Sequence, residues 1–390
     1  MLVAAACCML FGNASAEEKK DAKVFTVIKE NPITSIKNQS RSGTCWCYSS
    51  LAFLESELLR MGKGEYDLGE SFVVYKTMVD RGVAAVRMHG DVSFSQGGSF
   101  YDVLYCLKNY GMLPQEAMAA PGSLYGDTLY NHNELDAVAG GYVRALAQGK
   151  LKTLSPIWKK GLERIYDTYM GEIPEKFSYK GKEYTPKSFA ESLGLKADDY
   201  ISLTSYTHHP FYEPFVVEVQ DNWRWAQSYN LPLDEFMEVM DNAVRKGYTF
   251  AWGADVSEKG FRRDGVAVVP ADGKSSDMTG SDAARWTGSD KTNDVKPTQG
   301  SDQEKTITQE MRQIAYDNWE TTDDHGMQIY GLAKDQDGNE YFMVKNSWGT
   351  SGKYKGIWYA SKAFVAYKTM NILVHKDALP KEIAKKLGIK

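Results

Sequence analysis

Residues 37–60, KNQSRSGTCWCYSSLAFLESELLR, put a cysteine where a thiol can become reactive. Leu51, Leu54 and Leu58 recur at three and four residues, predicting a helix with one apolar stripe and with Glu55 and Glu57 off it. Gly62 and Gly64 end the pattern. Ser42, Gly43 and Thr44 read as an entry loop with capping hydroxyls, so Cys45 falls at the helix N-terminus. Unpaired N–H groups and the positive dipole end favour an anion there, which eases ionisation of a thiol. A thiolate attacks an amide carbonyl; a neutral thiol barely does. Buried packing is the competing role for any cysteine, and this loop alone leaves it open. Cys47 points elsewhere on the helix, and both it and Cys106 read as small packing residues.

A histidine far along the chain, His325, carries no signal of its own. In residues 325–349, HGMQIYGLAKDQDGNEYFMVKNSWG, Asp337-Gly338 is a two-residue hairpin signal between two β-rich runs. With the turn centred there, paired numbers sum to 675 and Asn346 faces residue 329. His325 is four residues from 329, an even offset, so His325 and Asn346 share a sheet face. Contact between them then requires twist or a bulge. An oriented imidazole beside a thiol gives a thiolate–imidazolium pair, and His325 would pass its proton to the departing amine.

Taken together, Gln39, then six residues on Cys45-Trp46, then His325, then Asn346-Ser347-Trp348-Gly349 resemble the papain family. The closer likeness is to its bleomycin hydrolase/aminopeptidase C branch (peptidase C1B). Ser42-Gly43-Thr44-Cys45-Trp46 stands where the papain signature has C-G-[SA]-C-[WY]. Ser42 thereby replaces a cysteine that is disulfide-bonded in papain itself, as in the branch without that bond. The resemblance implies that the Gln39 amide and the Cys45 N–H form an oxyanion hole. It implies too that the Asn346 amide accepts from the imidazole and orients it, while Trp348 shields that bond from water and counts among the substrate-binding residues. In Gln96-Gly97-Gly98-Ser99, ahead of a helix beginning near Tyr101, it assigns Gly97 and Gly98 to binding extended substrate backbone. Spacing alone leaves an ordinary turn open, although glycine does allow such close approach.

Leu68–Ser71, Tyr110–Pro114, Glu183–Pro186 and Tyr248–Gly253 also resemble segments of that branch, so the likeness covers most of residues 25–380. Two departures stand out. Those relatives extend a C-terminal arm into the cleft to enforce aminopeptidase action. Here the chain after Ala378-Leu379-Pro380-Lys381-Glu382 reads as having that arm absent or shortened, which leaves aminopeptidase and endopeptidase action both open. The other departure is an export signal, since the relatives are mostly cytosolic.

That signal is residues 1–16. Leu2–Phe11 is apolar but far short of the roughly 20 residues a membrane-spanning helix needs. It runs into Ala14-Ser15-Ala16, a small-x-small cleavage pattern. The expected location is periplasmic or extracellular; lipid attachment at Cys7 or Cys8 is the weaker alternative, because alanines rather than a lipobox precede them. Cleavage leaves Cys45, Cys47 and Cys106, an odd number and no disulfide framework.

The elements that must position these groups follow from length and composition. The chain has 390 residues, 43% hydrophobic and 25% charged, which suits a large single domain or a two-part fold around one cleft. A net charge of -5 with scattered Lys and Arg disfavours a nucleic-acid partner. Cys45 and His325 are 280 positions apart, against about 130–150 in papain-type chains, so a substantial insertion is expected. The expected fold is α+β and papain-like. It has a helical nucleophile subdomain at about 40–125, a mainly helical insertion at about 126–245 and an antiparallel β-barrel-like subdomain at about 246–375. A polar, mobile loop is expected at 271–305 and a tail at 376–390. His89, His132, His208, His209 and His375 lack partner motifs; the His208-His209 pair would bind metal only if other ligands converged, so no metal or cofactor is expected. The expected activity is peptide hydrolysis through a thioester acyl-enzyme on peptide substrates. A non-catalytic binding protein on the same scaffold is the alternative, and a homo-oligomer, hexameric in some relatives, is left open.

Overall fold

The computed structural model describes residues 23–118, 129–271 and 303–390. The expected signal peptide 1–16, and all but the ends of the expected loop 271–305, lie outside the described residues.

Helix α1 (Cys45–Arg60) is the axis of the molecule and is buried on almost every side. Glu55 and Glu57, expected on a wet face, are 0% and 1% exposed. Their burial is tolerated because each is partnered: Glu55 accepts from Thr34 Oγ1, Lys37 Nζ and Leu68 N, while Glu57 takes a two-pronged contact from Arg60. Nor do the entry-loop hydroxyls cap the helix as expected. Thr44 makes no side-chain cap; its hydroxyl pairs with that of Ser42 at 2.7 Å, and Ser42 Oγ donates to Gln39 O, so they fix the loop instead.

On one side of α1 lie α2 (Glu70–Arg87), α3 (Phe100–Asn109), α4 (Asn133–Gln148) and α5 (Trp158–Met170). Phe53, Leu54, Phe72, Val103, Leu107, Val143 and Leu162 join them in one core. Next come the hairpin β2 (Phe177–Tyr179) and β3 (Lys182–Tyr184) and helix α6 (Pro186–Leu193). On the other side stands a sheet built from β1 (Thr26–Glu30), β4 (Tyr200–Thr204), β5 (Pro214–Val216), β6 (Gln227–Asn230), β7 (Phe250–Ala254), β8 (Val266–Ala267), β9 (His325–Lys334), β10 (Glu340–Lys345), β11 (Ile357–Ser361) and β12 (Thr369–His375). Its order is β5-β6-β4-β12-β7-β9-β10-β11-β8, with β1 extending the β7 edge of β9. The β4–β6 and β8–β11 pairs are parallel and the rest antiparallel. Helices α7 (Leu233–Arg245), α8 (Gln309–Asp317), α9 (Lys362–Lys368) and α10 (Lys381–Lys386) complete this half.

Two expectations are corrected here. Among the described residues the sheet does not close into a barrel: its terminal strands β5 and β8, three and two residues long, are not paired to each other. The segment expected as a mainly helical insertion supplies helices α4 to α7 but also β2 to β6. Of these strands, β4, β5 and β6 join the main sheet, β4 directly against β12.

The β9–β10 register also differs from the two-residue turn. The loop spans 335–339, with Gly338 at φ +88°, and Asp335 organises it. Asp335 Oδ1 accepts from the N–H groups of Asp337 and Asn339; Oδ2 accepts from Lys23 Nζ and Asn339 Nδ2. Paired numbers sum to 674 up to Met343–Gly331 and to 673 from Val344–Ile329, because Tyr330 bulges out. One step beyond Lys345–Gln328, Asn346 stands across from 327, two residues from His325 rather than four. The two slips together amount to two positions, so the shared face survives and the bulge closes the gap.

Asp335 is held down to about 2: burial pushes it up, but the bonds from Lys23 and Asn339 outweigh that. Asp335→Ala should cost about 2–3 kcal/mol in urea unfolding, because its charged acceptor serves several donors. Because the folded carboxyl is depressed below its ordinary 3.8, this stability is present above that pH and lost as pH falls through about 2. The difference between variant and wild type should therefore fade in the same window.

Candidate active site

A cleft of about 1030 Å³ runs between the helical half and the sheet, and Cys45, His325, Gln39, Gly97 and Gly98 all line it. Cys45 is the first residue of α1, which places its sulfur at the helix's positive end. His325 opens β9 from the opposite wall. The two walls meet at Gly326: a Cβ there would lie 2.7 Å from Ser49 Oγ and 3.3 Å from the Cys45 carbonyl. Only a residue without a side chain lets the start of β9 press onto the first turn of α1. Cys47 and Cys106 are buried and their thiols are pushed up by burial, so among the described free thiols only Cys45 is partly exposed.

His325 Nε2 lies 2.9 Å from Asn346 Oδ1, and that same oxygen accepts the Ser347 N–H at 2.7 Å. The second bond settles which end of the amide faces the ring. An oxygen there requires a proton on Nε2, which leaves Nδ1 as the nitrogen able to take a proton from the thiol. Trp348 stacks on the imidazole at 4.6 Å and 25°, and is itself wedged edge-on by Trp358 at 5.4 Å. Neither Asn346 nor Trp348 lines the cleft: both pack against the base, and Trp348, expected also to bind substrate, instead stacks on the imidazole.

Gln39 reaches the site through a backbone splice. Residues 37–39 run antiparallel to 347–349, with Gln39 N donating to Ser347 O at 2.8 Å and Gly349 N to Lys37 O at 3.0 Å. Ser347 Oγ then donates to Gln39 Oε1 at 2.6 Å, which occupies the carbonyl end of the amide and turns its NH₂ outward. One of those hydrogens goes to Ser42 O at 2.8 Å; the other remains for an oxyanion. Ser347 is a residue that sequence reading passed over. Its place between Asn346 and Trp348 was the available signal.

Gly97 and Gly98 are held against the nucleophile loop. Trp46 Nε1 donates to Gln96 O at 3.0 Å, Gly43 N donates to Gln96 Oε1 at 2.9 Å, and the Trp46 ring lies where a Gly98 Cβ would be, at 2.8 Å. Asp221 crowds Gly97 in the same way, and nothing in the sequence near 221 announced it. Elsewhere, Glu218 converges on His208 at 3.1 Å and His209 at 3.2 Å; an imidazole pair sharing one carboxylate accounts for this geometry without an ion.

Such a fold, with an oriented imidazole facing a helix-terminal thiol across a cleft, defines a papain-like cysteine peptidase. The chain belongs to the peptidase C1-like family, whose model matches residues 11–271 and 279–389. It is 25% identical to aminopeptidase C of Streptococcus thermophilus, over 89% of this chain and 81% of that protein. It is 23% identical to aminopeptidase G of Lactobacillus delbrueckii subsp. lactis, over 95% and 87% respectively. In fold it is similar to the crystal structure of PepW from Lactobacillus rhamnosis HN001, with a TM-score of 0.67 and 19% identity, covering 93% of this chain and 84% of that one.

Gln39→Ala should lower kcat by about 10²–10³ in steady-state assays, as loss of one oxyanion donor does. Ser347→Ala, which frees the amide to rotate while keeping it present, should lower kcat by on the order of 10-fold.

Proposed function

We propose that this cysteine peptidase is an aminopeptidase, removing residues from peptides with free N-termini. The Cys45 thiolate attacks the carbonyl carbon, and the resulting oxyanion is received by the Cys45 N–H and the Gln39 Nε2–H. His325, protonated on both nitrogens, returns the Nδ1 proton to the departing amine, leaving a thioester. Water, deprotonated by the same nitrogen, then attacks the thioester, releases the N-terminal residue as its carboxylate and regenerates the thiol.

The observation that carries the hydrolytic chemistry is the Asn346 oxygen shared between His325 and Ser347, which fixes both the tautomer and the direction of the base. The exopeptidase mode draws its support from relatives that bear the names aminopeptidase C and aminopeptidase G. Endopeptidase action is the second reading. Export belongs to the same proposal, supported by Leu2–Phe11 and the Ala14-Ser15-Ala16 pattern. Among the described residues no helix is long and apolar enough to cross a membrane.

Cys45→Ala should abolish hydrolysis while thermal unfolding stays within a few degrees of wild type; activity retained in a pure sample would refute the mechanism. Mass spectrometry of products should show free peptides shortened stepwise from the N-terminus and acetylated copies left intact. Internal cleavage of both would select the endopeptidase reading.

A further inference from the structure

Residues 217–226, joining β5 to β6, cross from the sheet to the helical wall and are pinned there by two arginines. Arg224 Nε donates to Asp102 Oδ1 at 2.6 Å and Nη2 to Asp80 Oδ2 at 2.8 Å, with its guanidinium stacked 3.8 Å from the Tyr105 ring centroid. Arg81, fully buried, donates from Nη1 to Gly97 O at 2.6 Å and to Asp221 Oδ1 at 3.1 Å. Asp221 is thereby set on Gly97 itself: a Cβ at that glycine would fall 1.9 Å from Asp221 Oδ2. An extended substrate backbone therefore finds a carboxylate beside Gly97. Its bonds to Arg81 all run through Oδ1, so Oδ2 keeps its lone pairs for something else.

A second carboxyl comes from the other wall. Asp323 lies two residues before His325, lines the same cleft and, unlike Asp221, makes no hydrogen bond or ion pair among the described residues. Burial, and then the charge of Asp221, push it up to about 7. Arg81 pairs with one carboxylate, and no described residue pairs with the other. Both acids thus line the cleft of the dyad, Asp221 on the strap that leans on Gly97 and Asp323 two residues before the base.

We propose that Asp221 and Asp323 form the subsite that receives the α-ammonium of the substrate's N-terminal residue, so that the strap 217–226 sets exopeptidase specificity from inside the chain. This rests on the aminopeptidase reading and names the residues behind it. An ammonium offers three donors, enough for both carboxylates, and a charge-assisted pair in a cleft favours it over a neutral acetamide. A lysine or arginine side chain upstream of the cleaved bond presents the same cationic chemistry and is separated by experiment.

The experiment compares kcat/KM for four peptides, N-terminally free or acetylated, each with and without a basic residue one position upstream of the cleaved bond. Wild type is measured first: acetylated peptides cleaved as fast as free ones would sink the aminopeptidase reading itself. With that reading intact, Asp323→Asn and Asp221→Asn should each lower kcat/KM on free peptides by about 10- to 100-fold, mainly through KM. Acetylated peptides should be unchanged or improved. Asp323→Asn is the decisive variant, because its carboxyl has no structural bond to lose; thermal unfolding checks that Asp221→Asn, which faces buried Arg81, has folded. Equal losses on free and acetylated peptides, or no loss with Asp323→Asn, would overturn the proposal. So would a loss that follows the basic side chain rather than the free terminus.

Discussion

The approach of β9 to the first turn of α1 is the constraint on which the catalytic geometry depends. The nucleophile belongs to a helix and the base to a strand, with no covalent or local link to hold them together. Gly326 against the Cys45 carbonyl and Ser49 Oγ supplies that link by absence of a side chain. Close packing transmits position because interiors have little slack. A bulky residue at 326 would move the base away from the thiol before it disturbed anything else.

Around that contact the polar groups are over-determined. The Asn346 oxygen is fixed by the backbone next to it, so the imidazole it orients cannot rotate without breaking a buried bond. Gln39 is held from three directions, by Ser347, Ser42 and its own backbone N–H. Below it, Lys37 binds Glu55, Asp67 and Glu70, and it is pushed well up because those carboxylates outweigh burial. Lys345 donates to Thr34 O and Oγ1 and is pushed down to about 8 by burial. These buried charges tie the segment 34–39 to both α1 and β10, which is why the oxyanion donor is as rigid as the helix. Such ion pairs are weak evidence for stability, yet they specify one arrangement of three chain segments.

The strap 217–226 is held in another way. This loop between two sheet strands lines the cleft and is clamped on the helical half by Arg81 and Arg224. Because both arginines also serve the Gly97 carbonyl or the α3 N-terminal turn, the strap cannot shift without unsettling the wall it leans on.

What could be read from sequence was local or parity-based. Residue types and spacing gave the reactive cysteine at a helix start, the order of glutamine, cysteine, histidine and asparagine, and the common face of His325 and Asn346. Period-two alternation keeps that face under any even slip, so it outlasted an error in the turn. The buried faces of Glu55 and Glu57, the open sheet, the bulge at Tyr330 and the role of Ser347 were not legible, since each depends on which distant segment packs alongside. The clamp between Asp102 and Arg224 spans 122 positions, and that between Arg81 and Asp221 spans 140. Sequence thus determined which chemistry the chain carries, because reactivity belongs to residue types. The tertiary structure alone decided which segments and which carboxylates line the cleft, because long-range pairing leaves no periodic mark in the chain.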